Sequence, residues 1–195
     1  QLFTGRAVVF QQIGVPMLGL FPFISMFLVT SITMLRERTS GTLERLLTLP
    51  VAKLDILGGY GLAFAAVALV QGTIVSVVGF GLLDLHVENP RVVVVALAVA
   101  NAILGMAFGL FVSAFAQTEF QAVQFMPAFV FPQILLCGLF VSRDDMAGWL
   151  KGVSAVLPVT YAYDALHRAA TESELGARFA VDVAVTVGAT ALALA

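Results

Sequence analysis

Four stretches of this chain contain no Asp, Glu, Lys or Arg, and their lengths decide what it can fold into. They lie between Arg6 and Arg36, Asp55 and Asp84, Arg91 and Glu119, and Glu119 and Arg143, and hold 29, 28, 27 and 23 residues. A helix of about 20 apolar residues crosses a hydrocarbon layer of about 30 Å. One charge at mid-bilayer costs roughly 2.5–3.5 kcal/mol on insertion scales. Each stretch is therefore long enough for a crossing and free of what would oppose it. Composition agrees, since 11% of the residues are charged and 60% hydrophobic, against roughly a quarter charged in a soluble domain.

Membrane β-strands alternate apolar and polar side chains over about ten residues. Continuous apolar runs such as 63–70 do not alternate, so helices are expected. The predicted fold class is all-α, a polytopic transmembrane helical bundle forming one domain over residues 1–195. Its spans fall near 13–35, 56–83, 92–116, 120–140 and 180–195. The abrupt start at Gln1 suggests that a first helix precedes this stretch.

Pro16, Pro22, Pro127 and Pro132 lie inside two of these spans. Such prolines persist in a membrane where neighbouring protein or a watery cavity satisfies the freed carbonyls. Gly105 and Gly109 form a small-xxx-small face, read as a helix-packing feature. The connections alternate in character. Residues 36–55 carry Arg36, Arg38, Arg45 and Lys53, a basic density that votes for the cytoplasm and places 117–119 on the same side. Residues 84–91 and 141–179 fall opposite. Within the second of these, the uncharged stretch 152–163 is too short to cross, is interrupted by Pro158, and is flanked by Trp149, Tyr161 and Tyr163. It reads as a helix that dips into or lies on the outer leaflet.

The segment 36–53 reads RERTSGTLERLLTLPVAK. Thr39 and Ser40 suit a helix N-cap. Leu43, Leu46 and Leu47 then share one helical face, with Glu44, Arg45 and Thr48 on the other, until Pro50 stops the run. The product is a two-turn amphipathic helix against the membrane surface. Its arginines serve equally well as simple headgroup anchors, and both readings stand on the residues alone.

This segment resembles the cytoplasmic loop of type-two ABC exporter membrane subunits. The resemblance rests on Glu37-Arg38, Gly41-Thr42, Glu44, Leu46-Leu47 and Pro50. A second match is CGLFVSRDDMAGWLKGVSAVLPVTYAYDALHRA, residues 137–169, with Gly-Leu-Phe, Met-x-x-Trp-Leu and Pro-x-Thr-Tyr followed by Asp-Ala-Leu. It departs from the common form in having Ala147 where proline is frequent, and Leu157 where asparagine usually precedes Pro158.

The resemblance implies that the short helix is a coupling helix docking on a separate ATP-binding subunit. The ATPase-coupling group would be Glu37, Arg38, Gly41, Thr42, Glu44 and Arg45. It implies two membrane subunits, a second copy or a paralogue, and two ATPases in a bacterial plasma membrane. The cargo would be hydrophobic drugs, antibiotics or lipids, with polysaccharide or another cell-envelope precursor as the rival. The two proline-bearing helices would line the path, through Phe23, Phe27, Gln124, Phe125, Phe129 and Gln133. Gln71, Asn101, Phe21 and Phe131 are further polar or aromatic side chains within spans.

Other chemistries find little support. No Gly-x-x-x-x-Gly-Lys-Ser/Thr phosphate loop occurs, and Lys53 and Lys151 are the only lysines, so ATP and Mg belong to a partner. No cofactor or metal is expected in this chain. His86, near Asp84 and Glu88, reads as part of a solvated turn, and His167 has no companion ligands. Cys137 cannot form an internal disulfide, being the single cysteine. A net charge of −2 gives no basic patch for nucleic acid. An intramembrane enzyme would show paired ionisable residues at one depth, and a channel a polar stripe along one span. Asp182, one turn into the last span, is the carboxylate nearest membrane depth, and it reads as interfacial.

Overall fold

The computed structural model describes the backbone of residues 2–48, 50 and 52–194, and their side chains except at 2–12, 47, 53, 54, 57 and 144. The described chain is a helical bundle with no strand among the described residues. Helix α1 spans Leu2–Thr39, α2 Thr42–Leu47, α3 Lys53–Gly81 and α4 Arg91–Ser113. Next come α5 Glu119–Phe125, a π-helical segment Met126–Val130 and α6 Phe131–Leu136. A 3₁₀ turn Arg143–Asp145 leads to α7 Gly148–Ser154, α8 Pro158–Thr171 and α9 Ala177–Leu194.

Four helices are long and apolar enough to cross a membrane: Ile13–Thr39 within α1, Gly58–Gly81 within α3, all of α4 and all of α9. These correspond to four of the five expected spans, and Ala195 of the last lies outside the described residues. The fifth expected span, 120–140, is not one α-helix but the sequence α5, π turn, α6. Pro127 and Pro132 explain the break. Each lacks the N–H that would close an α-turn and crowds the preceding turn, and a widened turn accommodates both. Pro16 and Pro22, by contrast, sit within an uninterrupted α1.

Helix α4 is the centre of the bundle, packed on α1, α3 and α9. Its glycines make the α1 contact possible. A Cβ at Gly109 would come within 2.6 Å of the Phe27 carbonyl oxygen, and one at Gly105 would meet the Phe23 carbonyl oxygen closer still. The Gly105-xxx-Gly109 face is thus a backbone-to-backbone contact, in which dispersion and close approach replace the hydrophobic drive that lipid removes. Phe23, Phe27, Leu20 and Leu104 fill the main core beside it.

The stretch expected to dip is a helical hairpin. Helix α7 leads in, a turn at 155–157 follows, and Pro158 opens α8 at the helix start, where its missing N–H costs nothing. The turn stands beside Phe108 and Phe111, in the half of α4 remote from Arg91, across an apolar cavity also lined by Val185 and Ala189 of α9. Irregular backbone at that depth needs internal partners. The Tyr161 hydroxyl donates to the Ala155 carbonyl at 2.6 Å, and the Val156 and Leu157 amides donate to Val153 and Ser154. Val159, Ala162, Ala165, Leu166 and Ala169 are the buried stripe that seats α8.

Where α8 ends, Asn89 in the α3–α4 connection donates to the carbonyls of Ala169 (3.1 Å) and Glu172 (2.6 Å). Arg168 joins Glu172 at 2.7 Å and Asp182 of α9 at 3.0 Å. Asp182 is 6% exposed, so its carboxylate is held by a cation from α8 rather than left facing lipid. His86 contacts the Asp84 carbonyl oxygen through Nδ1 at 2.8 Å.

Candidate functional site

The site is built where α1 ends. Thr39 and Ser40 were expected to cap α2, but Thr39 belongs to the last turn of α1 and its hydroxyl donates back to the Leu35 carbonyl. The residue that opens α2 is Gly41, at φ 75°, a left-handed conformation that glycine adopts without the Cβ penalty. Nothing lies within 4 Å of a Cβ placed there, so it is backbone conformation rather than space that asks for glycine. The reversal brings α2 across the end of the bundle.

On α2, Thr42, Glu44 and Arg45 are exposed, while Leu43 and Leu46 are half-buried. The side chain of Leu47, third member of the expected apolar face, lies outside the described residues. Glu37 and Arg38 turn back to the bundle. The Glu37 carboxylate accepts from the Tyr60 hydroxyl of α3 at 3.0 Å, and Arg38 donates to the Ser113 carbonyl at 2.6 Å. Ser113 ends α4, so the guanidinium meets an orphan carbonyl at the negative end of a helix dipole.

Arg36 makes a two-point link. Its Nε and Nη2 donate to the two carboxylate oxygens of Glu119, at 2.7 and 2.9 Å, a forked pairing of fixed geometry. Glu119 opens α5, where a negative charge suits the helix N-terminus. Thr118 caps α5 by accepting from the Gln121 amide at 3.2 Å, and the Gln121 side chain accepts from the Gln117 amide at 2.9 Å. Between α2, the end of α1 and this hairpin lies a cavity of about 400 Å³ lined by Leu35, Arg38, Leu43, Glu44 and Gln117.

Thus of the six expected coupling residues, Glu37 and Arg38 join α2's approach to α3 and α4, Gly41 makes the turn, and Thr42, Glu44 and Arg45 face outward. Arg36, Tyr60, the Ser113 carbonyl and Glu119 were not among them. The pattern Thr118-x-x-Gln121 was a readable sign that an ordered helix start faces Arg36.

The six residues expected along a path differ in exposure and surroundings. Phe23 and Phe27 are fully buried against α4. Phe125 packs beside that core, and Phe129 stands 5.8 Å from Phe108, which in turn meets Phe23 edge-on at 6.3 Å. Gln124 is exposed, whereas Gln133 is 3% exposed with Nε2 bonded to the Phe129 carbonyl at 3.1 Å.

The chain is thus a multi-pass bundle with an amphipathic turn-helix strapped across one end by α1 and the α4–α5 hairpin. Residues 2–169 match the family described as ABC-2 type transporter. The chain belongs to that family. It is 28% identical over 148 residues to a probable multidrug ABC transporter permease of Escherichia coli (strain K12), covering 76% of this chain and 40% of the relative. It is 27% identical over 150 residues to ABC transporter G family member 20 of Dictyostelium discoideum, covering 77% and 20%. A linearmycin resistance permease protein of Bacillus subtilis (strain 168) is 27% identical over 135 residues, covering 69% and 34%. The chain thus spans less than half the length of each of these relatives. ABC-2 membership makes it a membrane subunit of the type-two ABC class, with a multi-pass helical bundle as its architecture.

Proposed function

We propose that this chain is the translocating part of an ATP-driven exporter, and that α2 is its contact with a separate ATP-binding subunit. The observation that carries this reading is the division of labour around α2. Thr42, Glu44 and Arg45 are exposed, while the residues leading into the helix are held to three others: Glu37 to α3, Arg38 to α4 and Arg36 to α5. A push on α2 is thereby delivered to several helices together rather than absorbed by a free loop. The side bearing α2 faces the cytoplasm, where the partner binds ATP and Mg.

Closure of two such ATPases, acting on two copies or paralogues of this subunit, rocks the membrane halves and opens the path outward. The proposed cargo is hydrophobic drugs, antibiotics or lipids in a bacterial plasma membrane. The multidrug and linearmycin-resistance names of two relatives support that class. Phe125 and Phe129, with Gln124 exposed on the same proline-broken helix, offer an aromatic, uncharged wall for an amphiphile.

The test is co-purification of the full-length protein from membranes with its ATP-binding subunit, native against Glu44→Arg. Charge reversal on the exposed face should lower recovery of the ATPase at least tenfold and leave membrane insertion unchanged. Equal recovery with both versions refutes the assignment of this face.

A further inference from the structure

At the end of the bundle away from α2 lies a second cavity, of about 420 Å³. Its walls are of two kinds. Ile13, Leu139 and Phe140 are apolar; Ser142, Arg143, Asp164 and His167 are polar or ionisable. Its level is set by the chain itself, because Arg143 is the first charge after the charge-free stretch 120–142 and Ile13 lies in the half of α1 remote from α2. That is the depth at which acyl chains give way to headgroups.

Inside it, Arg143 Nη1 donates to Asp164 Oδ2 at 2.8 Å. The pairing uses one guanidinium nitrogen and one carboxylate oxygen, unlike the forked Arg36–Glu119 pair. Among the described residues, no other side chain bonds to Asp164 Oδ1 or to the remaining nitrogens of Arg143. Both groups are mostly sheltered, at 34% and 20% side-chain exposure. Burial, helped by the Asp182 carboxylate, pushes the Asp164 carboxyl above its usual range, against the downward pull of Arg143 and, more weakly, Arg168. The neighbouring arginines therefore do not fully offset the desolvation of this carboxylate, and a further donor on it would be favourable.

We infer that this cavity binds a zwitterionic phospholipid headgroup, its phosphate on Arg143, its amine on Asp164, and its acyl chain along Ile13, Leu139 and Phe140. A guanidinium suits phosphate oxygens through paired N–H groups, and a neutral ion pair has no net pull on a purely anionic lipid. A ligand carrying both charges satisfies both groups at once. The inference rests on membrane insertion, and stands whether or not the subunit exports anything.

The test uses the full-length protein, purified with its partner subunits and exchanged into nanodiscs of phosphatidylethanolamine and phosphatidylglycerol in equal parts. Retained lipid is then counted by native mass spectrometry. The two lipids share the phosphate and differ in the amine. The native protein should hold the ethanolamine lipid about threefold over the glycerol lipid, the size expected of one partly exposed ion pair. Asp164→Asn should abolish the preference, and Arg143→Gln should lower retention of both lipids. Equal retention by the native protein overturns the proposal without recourse to any variant. An unchanged preference in a folded Asp164→Asn protein overturns it too. Displacement of the retained lipid by soluble glycerophosphoethanolamine would support the site with the headgroup alone as sufficient. Selective retention without such displacement would support it with the chains as part of the ligand.

Discussion

The two ends of this bundle are both stitched by arginine, but in opposite ways. At the α2 end, Arg36 and Glu119 make a forked pair with side chains 67% and 51% exposed. At the other end, Arg168 reaches Asp182 with exposures of 24% and 9%, and Asn89 closes the C-terminus of α8. Exposed pairs are screened and weak, and their geometry matters more than their energy. A sheltered pair has had its water removed, so losing one partner leaves a charge stranded. The far end is therefore a pinned joint, and the α2 end a linkage whose contacts break and re-form at little cost.

The largest blow to this contrast should come from Asp182→Ala. Arg168 would keep only Glu172, and stability should fall by about 2 kcal/mol, read as a lower midpoint of thermal unfolding in detergent. Asn89→Ala should cost about 1 kcal/mol, since two helix-end carbonyls lose a common donor, and should expose the end of α8 to faster hydrogen exchange. Arg36→Gln should leave the unfolding midpoint unmoved yet reduce the stimulation of the partner's ATPase by transport substrate. Raising salt to about 1 M, where screening acts within about 3 Å, should mimic Arg36→Gln while leaving the Arg168–Asp182 end intact. A midpoint that drops more for Arg36→Gln than for Asp182→Ala would reverse the assignment of joint and linkage.

What could be read from residues alone follows the cost of charge in lipid. Three of the four charge-free stretches became crossing helices because nothing local competes with that constraint, whereas the fourth is broken at Pro127 and Pro132, and the fourth crossing helix, α9, carries Arg178 and Asp182. The packing role of Gly105 and Gly109 was legible for a related reason, as small residues are what close approach requires. Three details were not legible. Thr39 and Ser40 have the right side chains for a cap, but α1 continues through Thr39 and a glycine makes the reversal instead. Propensity was overridden by a longer helix. The partners of Arg36 and Arg38 were hidden because Glu119 and Ser113 lie 83 and 75 residues away, and only the packing of α1 on α4 brings them near. Asp182 could be placed at the interface by its position, but not joined to Arg168 until the α7–α8 hairpin had been folded back.

The widened turn at Met126–Val130 has a geometric corollary. On an uninterrupted helix, nine residues advance the azimuth by about 900°, so Gln124 and Gln133 would point in opposite directions. One residue absorbed by a π turn removes about 100° of that advance. The orientation of everything downstream, including the sheltered amide of Gln133, is then fixed by a five-residue insert rather than by the side chains that display it. Excising a single residue from that insert would act as a spanner on α6, turning its far half about the axis while leaving its composition untouched.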